Sequence, residues 1–282
     1  MGPSFCVRLT LNVICTCDRF LWSVEWQGAM TSALTPLGTR STPRTRWTGD
    51  KQNPMCSAIN HDSPTLARQG AQLFRAAALP HLDRLMAILS ALAAERAGVR
   101  ISGLPGLEPY IAPTGPIGAL TSSSIGVNGK AVRAILFDKS AATNWSLAWH
   151  QDRTICVRER VDVSGFGPWS IKAGLNHVAP PFDLLARMVT LRVHLDDVPA
   201  TNAPLLVAPG SHRLGRVSVD QVEDVVARCG VMPCYASAGD VWAYATPILH
   251  ASEAASQPTR RRVLQVDYCA EDLPGGLEWL GV

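Results

Sequence analysis

The sequence predicts a mainly β fold, a sandwich or barrel, with a helical buttress at its N-terminal end. Two patterns carry that expectation. Six short β-type runs occupy the chain from residue 131 onward: AVRAILF (131–137), TICV (154–157), MVTLRVHL (188–195), LLVA (205–208), GDVWAYA (239–245) and RVLQVDYCA (262–270). Turn signals such as Pro209-Gly210 and Ala238-Gly239-Asp240 separate them. Helical spacing, by contrast, gathers between residues 63 and 98. A hydrophobic share of 47% over 282 residues is ample for one large core.

Residues 1–60 are expected to be a poorly ordered extension. They show no sustained periodicity and pass through SALTPLGTRSTPRTRWTGDKQNP, rich in Ser, Thr, Pro and Gly. The domain proper is expected over 61–282. Ser63 as N-cap and Pro64 at the first helical position predict a helix running to Leu79 and broken at Pro80. A second helix carries Leu82, Leu85, Met86, Leu89 and Leu92 on one face as far as Gly98. Gly and Pro crowd residues 102–118, after which the β runs begin. One helix interrupts them at 218–229, where Ser218 and Gln221 have capping-box spacing and Val222, Val225 and Val226 form an apolar face.

The charge is uneven. The net +3 sits in the first 57 residues, where six Lys/Arg face Asp18, Glu25 and Asp50, and the rest of the chain balances 20 basic against 20 acidic residues. A neutral body gives no electrostatic reason to expect nucleic acid or an anionic membrane as partner. No stretch of 18 apolar residues occurs, and the opening lacks a basic n-region, so neither a membrane span nor a signal peptide is expected. Eight scattered cysteines do not resemble a disulfide scaffold, which suggests a reducing, cytoplasmic setting.

Three His-x-Asp triplets occur: His81–Asp83, His150–Asp152 and His194–Asp196. Residues two apart on a helix point about 200° apart, so the first pair cannot grip one ion. On strands, residues two apart share a side, and spacing alone does not separate the other two pairs. His250, just after GDVWAYA, is a candidate third ligand. Two histidines and one carboxylate on one side of a metal leave open positions on the other, the facial arrangement of non-haem Fe(II) oxygenases. Such chemistry needs electrons, which 2-oxoglutarate provides by oxidative decarboxylation. Its far carboxylate needs a fixed cation, and Arg261, eleven residues beyond His250, would return alongside it if a hairpin spans SEAASQPT. Ser252 would add a hydroxyl. A non-catalytic β-sandwich binding protein and a cupin-like metalloenzyme without 2-oxoglutarate are the rival readings, and Arg261 discriminates against the second.

AWHQD (148–152), NAPLLVAPGSH (202–212), HAS followed by Arg261, and LPGGLEW (273–279) together resemble the phytanoyl-CoA dioxygenase family of Fe(II)/2-oxoglutarate-dependent oxygenases. The resemblance covers roughly residues 63–282. It implies a double-stranded β-helix (jelly roll, cupin-like) core, with His150, Asp152 and His250 as catalytic iron ligands and Arg261 and Ser252 as co-substrate contacts. It also implies a tryptophan beside 2-oxoglutarate, for which Trp169 fits. Fe(II), 2-oxoglutarate and O2 would then hydroxylate a small organic molecule; retention of Asp152 sets the chain apart from related halogenases. Lys139, Asn144 and His177 are candidate substrate contacts. The chain departs from the family at Ala203, where Gly is commoner.

Overall fold

The computed structural model describes residues 65–92, 98–126 and 128–282; the expectation for residues 1–60, and the Ser63 cap, lie outside them. The described chain opens with α1 (Leu66–Gln69) and β1 (Ala71–Phe74), followed by α2 (Leu82–Leu89), β2 (Gly98–Ile101), α3 (Glu108–Ile111) and α4 (Ser122–Ile125). Then come β3 (Lys130–Lys139), β4 (Leu147–His150), β5 (Ile155–Val157), β6 (Trp169–Lys172), β7 (Leu175–Val178), α5 (Phe182–Ala186), β8 (Val189–His194) and β9 (Leu205–Val207). α6 (Val222–Cys229), β10 (Met232–Cys234), β11 (Val241–Ala245), β12 (His250–Ser252) and β13 (Arg261–Cys269) complete it.

The first expected helix is corrected. Only one turn forms, because Gly70 adopts a left-handed conformation (φ 78°) that closes α1. The following AQLF pairs antiparallel with β11 as an edge strand instead of continuing as helix. The second helix forms as α2, with Leu85 and Leu89 buried, but ends at Leu89, short of Gly98, which begins β2. At α6 the three valines are buried as expected, but the Ser218 side chain makes no capping bond; its carbonyl accepts from Gln221 in a 3-10 turn instead.

The strands form a six-stranded antiparallel sheet, β1-β11-β8-β13-β3-β2, a four-stranded sheet, β10-β9-β12-β4, and a three-stranded sheet, β5-β7-β6. This is the arrangement of a jelly roll. Strand alternation gives the large sheet two unlike faces. One carries Val189, Leu191 and Val193 of β8, Leu264 and Val266 of β13, Ala134 and Leu136 of β3, and Val241 and Ala243 of β11, packed with Leu85, Leu89, Leu107 and Ile111 of the helical buttress. Burying each such leucine contributes about 1.5–3 kcal/mol. The other face carries Thr190, Arg192 and His194 on β8, level in register with Asp267, Gln265 and Val263 on β13, which in turn pair with Arg133, Ile135 and Phe137 on β3. A row of charged residues buried inside a sandwich is costly for stability alone, so this face positions the site.

Candidate metal centre

β4 and β12 are antiparallel neighbours, and His250 stands directly opposite His150. Cross-strand partners project to one face, and the two rings lie 4.2 Å apart between centroids. Asp152 follows two residues past His150, just beyond the strand end, and the ligand atoms of His150, Asp152 and His250 all lie within 4.8 Å of one another. Among the described residues this is the grouping of three potential ligands close enough to hold one ion.

Each ring is set for metal by the same backbone device. The Nδ1 of His150 lies 2.8 Å from the carbonyl of Ala148, and that of His250 lies 2.9 Å from the carbonyl of Ile248. A carbonyl only accepts, so each Nδ1 carries the proton and each Nε2 keeps its lone pair. Burial and the neighbouring His150 ring pull His250 down to about 4, which keeps it neutral. Burial would raise Asp152, but the charge of Arg133, with the two histidines, outweighs it and holds the carboxyl below its ordinary value.

Two supports were not visible in the sequence reading. Gln151, fully buried between the two ligands, donates to the carbonyls of Pro247 (2.8 Å) and Gly215 (3.0 Å) and accepts from Val217 N–H (2.9 Å). Its amide ties AWHQD to the chain just before His250. Arg133 reaches the Asp152 carboxylate at 3.4 Å and is itself held by Asp267 at 2.5 Å. Asp267 accepts from Thr190 at 3.0 Å. The alternation R-x-I in AVRAILF and Q-x-D in RVLQVDYCA carried this signal, since both charges fall on the inner face of the large sheet.

Arg261 lies on that same face, opposite Lys139. The expected hairpin is corrected: β12 belongs to the four-stranded sheet and β13 to the six-stranded one, so the intervening segment crosses between sheets. Arg261 is buried, donates to the carbonyl of Ala203, and leaves its Nε without a partner. The Ser252 Oγ is likewise buried and unpartnered. Arg260 and Arg262 turn away, paired with Asp138 (2.9 Å) and Asp196 (2.6 Å). Arg192 donates to Gln265 at 2.8 Å, and Lys139 to the carbonyl of Glu253 at 2.6 Å. Burial, with the charges of Arg261 and Arg192, pulls the Lys139 ammonium down to about 7. These are three buried cations held by neutral groups, which is the electrostatic imprint of an anion.

The remaining expected contacts divide. Lys139 stands opposite Arg261 across β3 and β13. Asn144 is corrected to a loop clamp, since its amide nitrogen donates to the Ala255 carbonyl (3.0 Å) and its oxygen accepts from Ala255 N–H (2.7 Å). Trp169 pairs in register with Val178 on β6 and β7, and that face packs with Ile155, Val157 and Leu277 in an apolar cluster. Alternation therefore turns it away from the face that carries His177, and its ring lies under the Arg160 guanidinium (5.4 Å). His177 pairs with Cys156 and Ser170 and is fully buried, its Nδ1 3.0 Å from the carbonyl of Leu175 and its Nε2 unpartnered.

Comparison with known proteins agrees with this architecture. Similar solved structures include EctD from S. alaskensis with 2-oxoglutarate and 5-hydroxyectoine (17% identity, 80% of this chain and 79% of that chain, TM-score 0.53). The non-heme alpha ketoglutarate dependent carbocyclase SnoK from nogalamycin biosynthesis aligns at 16% identity (77% and 85%, TM-score 0.52). HygX from Streptomyces hygroscopicus, with nickel, 2-oxoglutarate and hygromycin B bound, aligns at 13% identity (72% and 84%, TM-score 0.50). At these identities the likeness is one of fold. No curated protein sequence matches. The family model for phytanoyl-CoA dioxygenase matches residues 43–263, and the chain belongs to that family of Fe(II)/2-oxoglutarate-dependent oxygenases.

Proposed function

We propose that this protein hydroxylates a small organic molecule, using Fe(II) held by His150, Asp152 and His250, and 2-oxoglutarate held by Arg261 and Ser252. The observation that carries the reading is the pairing of two empty-handed sets. Two Nε2 lone pairs and a carboxylate converge within 4.8 Å, and beside them buried cations have, among the described residues, no carboxylate to neutralise them. The donor set of two neutral imidazoles and one carboxylate fits Fe(II), with open positions for small ligands. The cation set fits a dicarboxylate.

When bound, iron and 2-oxoglutarate supply the oxidation: O2 is consumed, the keto acid leaves as succinate and CO2, and one oxygen atom enters a substrate C–H bond. The protein's own part is positioning. The carbonyls of Ala148 and Ile248 fix both imidazoles. Arg133, braced by Asp267, keeps Asp152 ionised and in place. Arg261 orients a carboxylate through its planar fork. We place the reaction in the cytoplasm, a reading supported by the four free cysteines among the described residues, Cys156, Cys229, Cys234 and Cys269.

The test is anaerobic reconstitution with Fe(II), followed by 2-oxoglutarate and then O2. One iron per chain and slow succinate release without added substrate are expected. A protein that binds iron but neither binds nor consumes 2-oxoglutarate would instead be a cupin-like metalloenzyme of another kind.

A further inference from the structure

The inner face of the large sheet and the three-stranded sheet leave a second set of groups unused by iron or co-substrate. β2 pairs with β3 so that Arg100 stands opposite Ile135, two residues from Arg133 on the same face. Arg100 is half-buried, its Nε is buried without a partner, and no carboxylate of the described residues forms an ion pair with it. Of the nearby carboxylates, Asp267 is held by Arg133 at 2.5 Å, and Asp152, 3.4 Å from Arg133, belongs to the candidate metal centre. A guanidinium in that position needs an anion from elsewhere.

The three-stranded sheet supplies complementary groups. Cys156, His177 and Ser170 stand level across β5, β7 and β6, so their side chains share one face. The charge of Arg133, which contacts Asp152, acts on both Cys156 and His177, so that row lies near the metal centre. The Nε2 of His177 and the Oγ of Ser170 are both buried without partners. Since the Nδ1 proton of His177 is given to the Leu175 carbonyl, its Nε2 is an acceptor and calls for a donor. Burial, and the charges of Arg100, Arg133 and Lys172 around it, push the ring down to about 4, so it stays an acceptor at neutral pH.

We propose that the substrate is a small carboxylic acid bearing a hydroxyl or amino group, its carboxylate bound by Arg100 and its donor accepted by His177, with Ser170 completing the contact. This rests on the function proposed above and narrows it. Neither group serves the fold: a half-buried arginine with no partner and a fully buried imidazole with a bare lone pair each cost stability, and one ligand of this class satisfies both. The charge of Arg100 acts on the His177 ring, so the two contacts lie near enough for one small ligand to reach both.

The test is calorimetric binding without O2, on protein loaded with Fe(II) and 2-oxoglutarate. The probes are small hydroxy acids and amino acids, each matched with its own carboxamide. At least one acid should bind about 10- to 100-fold tighter than its carboxamide. Arg100→Met should erase that preference, with the larger loss on the acid and the smaller on 2-oxoglutarate, whereas Arg261→Met should show the reverse order. His177→Phe should weaken acids carrying a hydroxyl or amino group more than their deoxy or desamino analogues. A panel with no acid-selective binder overturns the proposal, as does a preference that survives Arg100→Met. If Arg100→Met chiefly lowers 2-oxoglutarate affinity, Arg100 belongs to the co-substrate and the proposal also fails. Wild-type protein that takes up no iron or 2-oxoglutarate refutes the parent reading, an outcome distinct from all of these.

Discussion

Two His-x-Asp segments of this chain sit at strand ends, and they were indistinguishable by spacing, yet they do different things. His150 faces His250 across an antiparallel pair, and Asp152 completes a cluster within 4.8 Å. His194 stands opposite Val263, is buried with both ring nitrogens unpartnered, and burial and the charges of Arg192 and Arg261 push it well below its ordinary value. Asp196 is fully engaged by Arg262, through the backbone N–H at 2.7 Å and the guanidinium at 2.9 and 2.6 Å. The candidate metal clamp is therefore made by what the neighbouring strand brings and by a carboxylate that its arginine engages only weakly, not by the triplet. Arg133 touches Asp152 too, but its shorter bond goes to Asp267, so the Asp152 carboxylate remains available.

The largest effect separates those segments. Asp152→Ala is expected to abolish stoichiometric iron binding and substrate-free 2-oxoglutarate consumption, because two imidazoles alone lack the charge and the third position of the facial set. Asp196→Ala should keep iron near one per chain. It should cost about 1–3 kcal/mol of stability from the lost charge-assisted bonds to Arg262. Iron content of the two purified variants, with thermal melts, checks both halves; the reverse pattern would move the centre to β8.

Next in size is the contrast within the arginine run. Arg261→Ala should weaken 2-oxoglutarate by roughly 2–5 kcal/mol, since a buried partner of a carboxylate is lost. Arg260→Ala should leave that affinity near wild type and act on stability, because it strips the buried Asp138 of its partner. Equal loss of affinity for both variants would show that the strand register is not what selects the inward arginine.

A smaller, pH-dependent effect comes from Lys139. Its ammonium is lowered to about 7 in the folded protein from an ordinary value of 10.5. Between those limits the unfolded chain holds more protons than the folded one, so this group makes the ligand-free protein more stable as pH rises from about 7 toward 10.5. Below pH 7 both states are charged and the slope ends. Lys139→Met should flatten that part of the stability profile. Binding the dianionic co-substrate at pH 8 should also drive proton uptake, since the incoming carboxylate favours the ammonium; calorimetry in buffers of different ionisation enthalpy measures it.

What the sequence disclosed follows from how local each signal was. The long strands β3, β8, β11 and β13 were legible because period-two alternation is written into consecutive residues. β1 was misread as helix because AQLF has no β signature of its own and becomes a strand only through pairing with β11. The triad was read through motif resemblance, while its supports Arg133 and Asp267 lie on segments far apart in sequence and become related only through register, and Gln151, inside the motif, acts on the distant Gly215, Val217 and Pro247. The surroundings of Trp169, in an apolar cluster, and of Asn144, bonded to Ala255, were hidden for the same reason. Nearness to a motif in the chain does not say which face of a sheet a side chain takes, nor which loop claims its amide.

The smallest expected effect lies in the turn after the second triplet. Ala203 adopts φ 49° and ψ 64°, a left-handed conformation, and its carbonyl holds Arg261. An alanine there carries strain of about 1–2 kcal/mol that glycine would not. Glycine, however, raises the entropy of the unfolded chain by roughly 0.4–1 kcal/mol, which offsets part of the gain. Ala203→Gly should therefore raise stability by less than about 1 kcal/mol in a denaturant melt. The more telling readout is 2-oxoglutarate affinity. If the strained turn serves to hold its carbonyl against Arg261, relaxing it should weaken co-substrate binding by a few-fold even as the fold gains stability. If affinity and stability rise together, the alanine has no positioning role, and Arg261 is fixed by the register of β13 with β3 and β8.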